Sequence, residues 1–275
     1  MDSSDPAGSR ADGLFAGTAW HYARYRPGYP AALIADLVQR LGLDGSGRLL
    51  DLGCGTGQLT LPLAAHVAEV VGMDPEPEML NEASRLGRER AVANVTWLQG
   101  NSADLPGELG HFSLVSMGRS FHWMDRQQVL TALDEIVDEG GSLVIANDSN
   151  LILPSTPWQQ AIQDIQRRFL PKAYQHGQPP APGIFQTHEQ VLANSAFRQV
   201  NRQVYEFTRT WTIEQAIGYF YSTSLPLRRL LGDGQAAFEH TVTETLLAID
   251  PSGRFSEPVA MEVLTATRTR EAIPK

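Results

Sequence analysis

Between residues 48 and 146, short apolar runs rich in β-branched side chains alternate with stretches whose apolar positions recur at helical spacing. Five runs read as strands, at 48–52, 69–74, 95–99, 112–117 and 142–146. The patterns between them, at 57–66, 78–88 and 126–137, read as helices, and a further helix at 31–41 precedes the first strand. Strands and helices that alternate in this way build βαβ units, and successive βαβ units make a parallel, doubly wound sheet. The fold class expected is therefore α/β and Rossmann-like.

The rhythm changes after residue 150. Pro154, Pro157, Pro171, Pro179, Pro180 and Pro182 interrupt the chain around a helix at 158–169 and a loop at 175–182 without a core pattern. A helix fits 188–195, a strand 199–207, two helices 212–221 and 236–249, and a last strand 262–270. The division expected is a tail (1–14), a core (15–149), a lid insertion (150–198) and a core strand (199–208). A second helical lid insertion (209–258) and a last strand with its tail (259–275) follow. The insertions are expected over the carboxyl ends of the strands, where open α/β sheets bind ligands.

The candidate chemistry begins where the first strand ends. Leu49-Leu50-Asp51-Leu52-Gly53-Cys54-Gly55-Thr56-Gly57 is an apolar strand running into a D-x-G-x-G-x-G turn. Glycines at alternate positions allow a tight turn and let a ligand approach bare backbone. The helix that follows offers free N–H groups and positive dipole character. A dinucleotide site would carry G-x-G-x-x-G. The spacing Gly53, Gly55, Gly57, with Asp51 ahead of it, instead suits S-adenosylmethionine (SAM), its carboxylate at the turn and its ammonium facing Asp51.

Two later strand ends extend this reading. Asp74 closes Val70-Val71-Gly72-Met73-Asp74, where a carboxylate can accept both ribose hydroxyls. Met79, one helical turn on, suits either the adenine face or the core. After the third strand, Gly100-Asn101-Ser102-Ala103 can read the adenine edge through the Asn101 side chain, Ser102 and a backbone N–H.

Composition narrows the partners. The net charge is −9 and the pI about 5.2, and the longest basic cluster, Arg167-Arg168, is only a pair. Nucleic-acid binding normally rests on a basic stripe, so no nucleic acid is expected. The acidity fits a neutral or cationic substrate, and equally a device for solubility. No run has the length needed to span a bilayer, and no secretory pattern opens the chain. Cys54 is the single cysteine, which excludes an intrachain disulfide and a CxxC metal cluster. A cytoplasmic enzyme with no metal is expected.

These motifs resemble the class I SAM-dependent methyltransferases. The similarity is to the small-molecule branch that includes ubiquinone/menaquinone-biosynthesis and trans-aconitate-like enzymes. It covers residues 15–146 and rests on four segments. They are Phe15-Ala16-Gly17-Thr18-Ala19 leading to Tyr22-x-x-x-Arg26-Pro27-x-Tyr29-Pro30, the turn from Asp51 to Gly57, Asp74, and Ser120-Phe121-His122-Trp123. The resemblance implies a seven-stranded sheet ending in an antiparallel hairpin, supplied by 199–207 and 262–270. It also implies conversion of SAM to S-adenosylhomocysteine, with Tyr22 and Arg26 at the methionine end. Asn101 stands where the family commonly has Asp.

The acceptor is expected at the end of the fourth strand, Met117-Gly118-Arg119-Ser120-Phe121-His122-Trp123. Met117 and Gly118 approach the cofactor through backbone. Phe121 and Trp123 are read as pocket wall or as a structural corner, and His122 as a general base or a structural histidine. Trp20 and Asp148 complete the substrate set. The lid is aromatic: Trp158, Phe169, Tyr174, Phe185, Trp211, Tyr219, Phe220 and Tyr221. Asp148, Asp125 and Glu214 are candidate partners for substrate ammonium groups. The leading expectation is methylation at N or O of a polar small molecule, such as an amino-sugar antibiotic or another natural-product intermediate. The alternatives are C-methylation of a quinone-like ring and a non-catalytic SAM-binding protein. The lid aromatics make a homodimer reasonable.

Overall fold

The computed structural model describes residue 13 and residues 15–148, 154–174 and 186–268. The loop expected at 175–182, Phe185, and the outer ends of both tails lie outside the described residues.

Seven strands form one sheet: β1 (Arg48–Leu52), β2 (Glu69–Asp74), β3 (Val95–Gln99), β4 (Phe112–Gly118), β5 (Val137–Asp148), β6 (Gln199–Thr212) and β7 (Arg254–Thr267). Their order is β3-β2-β1-β4-β5-β7-β6. The first five pair in parallel, while β7 runs antiparallel to both neighbours. Strand order reverses between β1 and β4, which opens a crevice at their carboxyl ends. The fold is a seven-stranded Rossmann-like sheet: the alternating pattern implied its parallel, doubly wound part, and the resemblance implied seven strands with an antiparallel end.

Side chains alternate across the strands, so each face receives its own core. Leu50, Leu52, Val71, Met73 and Val115 face one side and pack with α5 (Arg126–Ile136) and α7 (His188–Ala193). Leu49, Val70, Leu114 and Val144 face the other, beneath α2 (Ala31–Leu41) and α3 (Thr60–Ala64). The helix α4 (Pro77–Glu89) lies against β2 and β3. Gly57, at φ +81°, holds the chain in a turn, so α3 starts later than the pattern suggested.

A third core lies apart from the sheet. Trp158 and Ile162 of α6 (Pro157–Phe169) pack with Tyr219 of α8 (Ile213–Phe220), Leu227 of α9 (Leu227–Leu231) and Phe238 and Leu246 of α10 (Gln235–Ile249). By contrast α7, expected within a lid, joins the sheet core through Val191 and Leu192. The strands β6 and β7 run beyond their expected limits. The β5 pairing ends at Asp148↔Met261, yet β6 and β7 remain paired as far as Thr212↔Arg254. Inside that two-stranded arm Glu257 is buried, accepting from Gln159, Arg209 and Trp211.

One element has no apolar signature in the sequence. The helix α1 (Ala19–Tyr25) buries only Ala19 and His21, and it lodges between α4 and α8. Among the described residues no helix is long and apolar enough to cross a membrane.

Candidate functional site

A cleft of about 660 Å³ opens at the carboxyl ends of β1, β2 and β4. Its floor is Leu52, Gly53 and Gly55. All three glycines of the turn have positive φ, at +72°, +54° and +81° for Gly53, Gly55 and Gly57. Their surroundings differ. A Cβ on Gly53 would stand 2.5 Å from Cβ of Ser120, and one on Gly57 would stand 3.0 Å from the Trp97 ring. Packing therefore demands glycine at both, and Gly57 does not reach the cleft. At Gly55 the nearest neighbour is the Tyr22 ring, 3.5 Å from where a Cβ would be. Bare backbone at Gly55 thus faces an aromatic ring across the cleft.

At the end of β2, Asp74 accepts the Gly55 N–H at 2.8 Å and the Glu76 N–H at 3.0 Å. It ties the glycine turn to the neighbouring strand. Burial pushes its carboxyl up to about 6, although both backbone donors act in the opposite direction. Glu76 also lines the cleft; it is buried, and among the described residues its Oε1 has no hydrogen-bond partner. A buried acceptor without a donor is rare and marks a place where a ligand donor fits. Met79, Gly100, Asn101 and Ser102 complete this end. Asn101 caps the short turn Ser102–Asp104, its Oδ1 accepting from the Ala103 N–H at 2.8 Å while Asp104 accepts the Asn101 N–H. The Ala103 N–H is thus already used, and Ala103 does not line the cleft.

The roof is aromatic. Phe15 stands edge-on to Tyr22 and to Trp123, with centroids 6.1 and 6.0 Å apart. The Gly17 N–H donates to Glu78 Oε2 at 2.8 Å, and Gln58 Nε2 donates to the Arg26 carbonyl at 3.1 Å. The segment carrying Phe15 and Tyr22 is therefore fastened to the sheet domain at both ends.

Several expected residues lie elsewhere. Asp51 is 1% exposed, and its oxygens accept from the Thr60 and Ser116 hydroxyls. It braces β1 against α3 and β4 beneath the floor. Met117 and Phe121 are fully buried in the sheet core, so neither forms pocket wall. Trp123 does, as does Gly118. His122 packs on Trp123 but does not line the cleft. Burial, then His188, Arg26 and Arg126, push its imidazole down to about 4, so it is neutral at physiological pH. Trp20 is exposed on the far side of α1, in a groove shared with α8 and α10. Asp148 is buried and ion-paired to Arg209 at 3.1 Å. Arg26 is enclosed between the rings of Tyr22 and Tyr219, behind the roof.

Glu76, Arg119, Ser120 and Met124 line the cleft without having been singled out from the sequence. The signal for the first two was available: a charged side chain within two residues of the carboxyl end of a buried strand. Among the described residues no cluster of His, Cys, Asp or Glu suits a metal ion.

Residues 49–141 match the family profile described as "Methyltransferase domain", which spans the glycine turn, Asp74, Asn101 and the β4 end. Over these residues the chain is similar to SAM-dependent methyltransferases. Among curated relatives, an uncharacterized methyltransferase of Schizosaccharomyces pombe is 38% identical over 34% of this chain and 35% of its own length. A demethylmenaquinone methyltransferase of Lactococcus lactis is 34% identical over 44% of this chain and 49% of its own. The chain thus spans less than half the length of each, and the similarity lies in the methyltransferase domain. A SAM-dependent methyltransferase from Thiobacillus denitrificans, solved with S-adenosyl-L-homocysteine, shares the fold. Its TM-score is 0.51 at 18% identity, covering 92% of this chain and 96% of that one.

Proposed function

We propose that this chain transfers the methyl group of SAM to an oxygen or nitrogen of a polar small molecule. The observation that carries the reading is the cleft itself: a bare glycine backbone, two buried carboxylates and an aromatic roof within one 660 Å³ space. Gly53 and Gly55 suit the methionine end, with Tyr22 closing over it. Asp74 suits the ribose hydroxyls as acceptor, and Glu76 Oε1 offers a second one beside it. Asn101, Ser102 and Met79 suit the adenine.

When bound, the cofactor supplies a methyl carbon on a positively charged sulfur, a leaving group that needs no protonation. Transfer to the acceptor's lone pair would leave S-adenosylhomocysteine, and an O–H or N–H acceptor would give up its proton to solvent, since among the described residues no base in the cleft takes it. The protein's contribution is alignment and exclusion of water, which together can lower a barrier by several kcal/mol. Phe15, Tyr22 and Trp123 exclude water from above. The part of His122 is structural in this reading, since a base near 4 is a poor proton acceptor at neutral pH.

The amine-bearing acceptor expected from the sequence has little support. Asp148 is held by arginine, Asp125 caps α5, and Glu214 accepts from the Tyr25 hydroxyl. The resemblance to a demethylmenaquinone methyltransferase favours C-methylation of a ring as the second reading. Incubating the protein with methyl-labelled SAM and a library of small-molecule acceptors tests the proposal. Label in a heteroatom-methylated product supports it, label on ring carbon supports the second reading, and cofactor binding without transfer to any acceptor contradicts both.

A further inference from the structure

A second groove, of about 1130 Å³, lies behind α1. Its walls come from α1, α8 and α10, with α9 at one rim. Among the described residues none lines both this groove and the cleft. Helix α1 is the partition: Tyr22 lines the cleft, while Trp20, His21 and Tyr25 line the groove. Trp20 is 53% exposed there, whereas tryptophan is on average well buried.

His21 sits between two tyrosines of this groove. Its ring is stacked on that of Tyr25 at 6.1 Å and stands edge-on to that of Tyr221 at 5.3 Å. His21 is only 8% exposed, yet it lines the groove, and among the described residues neither ring nitrogen has a hydrogen-bond partner. A buried polar ring without a partner marks a place where a ligand fits. Burial, and then Arg228, hold its imidazole below the ordinary value against the opposing pull of Glu239, so the ring is neutral at physiological pH. One nitrogen of a neutral imidazole is a hydrogen-bond acceptor.

Each tyrosine beside His21 fixes a carboxylate of the groove. The Tyr25 hydroxyl donates to Glu214 Oε1 at 2.8 Å, and the Tyr221 hydroxyl donates to Glu239 Oε1 at 3.0 Å. Gln235 Nε2 donates to the same Glu239 oxygen at 2.7 Å. The Oε2 atom of each glutamate has no hydrogen-bond partner among the described residues. Two arginines stand near, and both are engaged elsewhere. Arg24 lies over the Trp20 and Tyr25 rings, at 5.5 and 5.7 Å, and Arg228 donates to Gln235 Oε1 at 3.2 Å. Among the described residues neither is ion-paired to Glu214 or Glu239. The groove therefore holds two anchored carboxylate oxygens and an imidazole nitrogen that lack donors, beside exposed apolar surface.

We infer that this groove is a second ligand site, which binds a small organic amine as its ammonium. Glu214, Glu239 and His21 accept its N–H groups, and Trp20 with Ile217 covers its apolar body. An ammonium brings the donors and the positive charge that the carboxylates lack, and the tryptophan face adds cation–π attraction. An alcohol of the same shape brings no charge, and an acid is repelled by both glutamates. The amine here is not the methyl acceptor, because α1 stands between the groove and the cleft. The inference is independent of the methyltransferase reading.

The test is a calorimetric titration of the full chain at neutral pH, with and without saturating S-adenosylhomocysteine. The probes are a panel of arylalkylamines, alkylamines and alkyl diamines, each with its matched alcohol and carboxylic acid. At least one amine is expected to bind in both conditions, with its alcohol and acid at least about tenfold weaker. Glu239→Gln and Glu214→Gln keep the oxygen each tyrosine needs and remove the charge. Each is expected to weaken that amine about tenfold or more, while Glu239→Gln leaves S-adenosylhomocysteine affinity within about threefold. No amine bound, alcohols or acids bound as tightly, or either variant binding the amine unchanged would each overturn the inference. Loss of the amine on addition of S-adenosylhomocysteine would overturn it too, by placing the amine in the cleft. Should one variant fail to fold, the other decides. Amine binding that both variants weaken, with no binding of S-adenosylhomocysteine at all, would keep this site and sink the methyltransferase reading instead.

Discussion

The ring of Tyr25, in α1, lies directly on the bare backbone of Gly218, in α8; a Cβ there would overlap three of its carbons. The Tyr25 hydroxyl donates to Glu214 at 2.8 Å on the same helix. The lid helix thereby sets the position of α1, and α1 carries Tyr22 over the cleft. Helix propensity alone would make Gly218→Ala stabilising by about 1 kcal/mol. Overpacking against a ring near its root costs ~1–3 kcal/mol, so the clash wins. A lower melting temperature and severalfold weaker S-adenosylhomocysteine binding are expected, measured by calorimetry.

Asp51 offers a contrast between a bracing role and a binding role. Replacing it by Asn turns one acceptor oxygen into a donor facing a buried hydroxyl, at a cost of about 1–3 kcal/mol. Asp51→Asn is therefore expected to lower the melting temperature while changing S-adenosylhomocysteine affinity less than about threefold. Asp74→Asn is expected to weaken affinity about tenfold. Equal losses of affinity in parallel titrations would return Asp51 to the ligand.

Cofactor affinity should depend on pH through Asp74. Its carboxyl is pushed up to about 6 by burial, and hydroxyl donors need the ionised form. Binding should be level above about pH 6 and weaken below it, levelling off about tenfold weaker, near the affinity of Asp74→Asn, as the carboxyl is protonated. The dependence should vanish in Asp74→Asn, as read from dissociation constants across that range.

Acid stability should depend on two histidines. His122 and His188 are both pushed down to about 4, chiefly by burial, with nearby cations adding to it. The unfolded chain takes up their protons near the ordinary value of 6.5, while the folded chain resists until about 4. Their stabilising contribution is thus complete above 6.5 and lost as pH falls toward about 4. His122→Gln should flatten the melting-temperature profile through that window. It should also slow methyl transfer less than about tenfold, whereas a loss of about a hundredfold or more would identify a base.

The sheet was legible from residues because β1 to β5 are apolar runs closed by glycine, aspartate or polar turns. The placing of Gly53, Gly55, Asp74 and Asn101 at the cleft was legible because each lies at or just beyond the carboxyl end of β1, β2 or β3. Helix α1 was not, since Ala-Trp-His-Tyr-Ala-Arg-Tyr has no apolar stripe and takes its order from α4 and α8. The extension of β6 and β7 was hidden by Pro258 and by Glu257, a carboxylate that reads as surface until its three buried donors are known. Asp51 looked like a ligand contact because spacing places it at the turn. Only the positions of Thr60 and Ser116 reveal that its oxygens are taken.

A crystal structure of the chain grown with S-adenosylhomocysteine tests the cleft most directly. Ribose hydroxyls within hydrogen-bonding distance of Asp74, with the amino-acid end on the Gly53–Gly55 backbone beneath Tyr22, is the expected result. Density for the molecule in another place, or none despite saturating ligand, would contradict the assignment of this cleft.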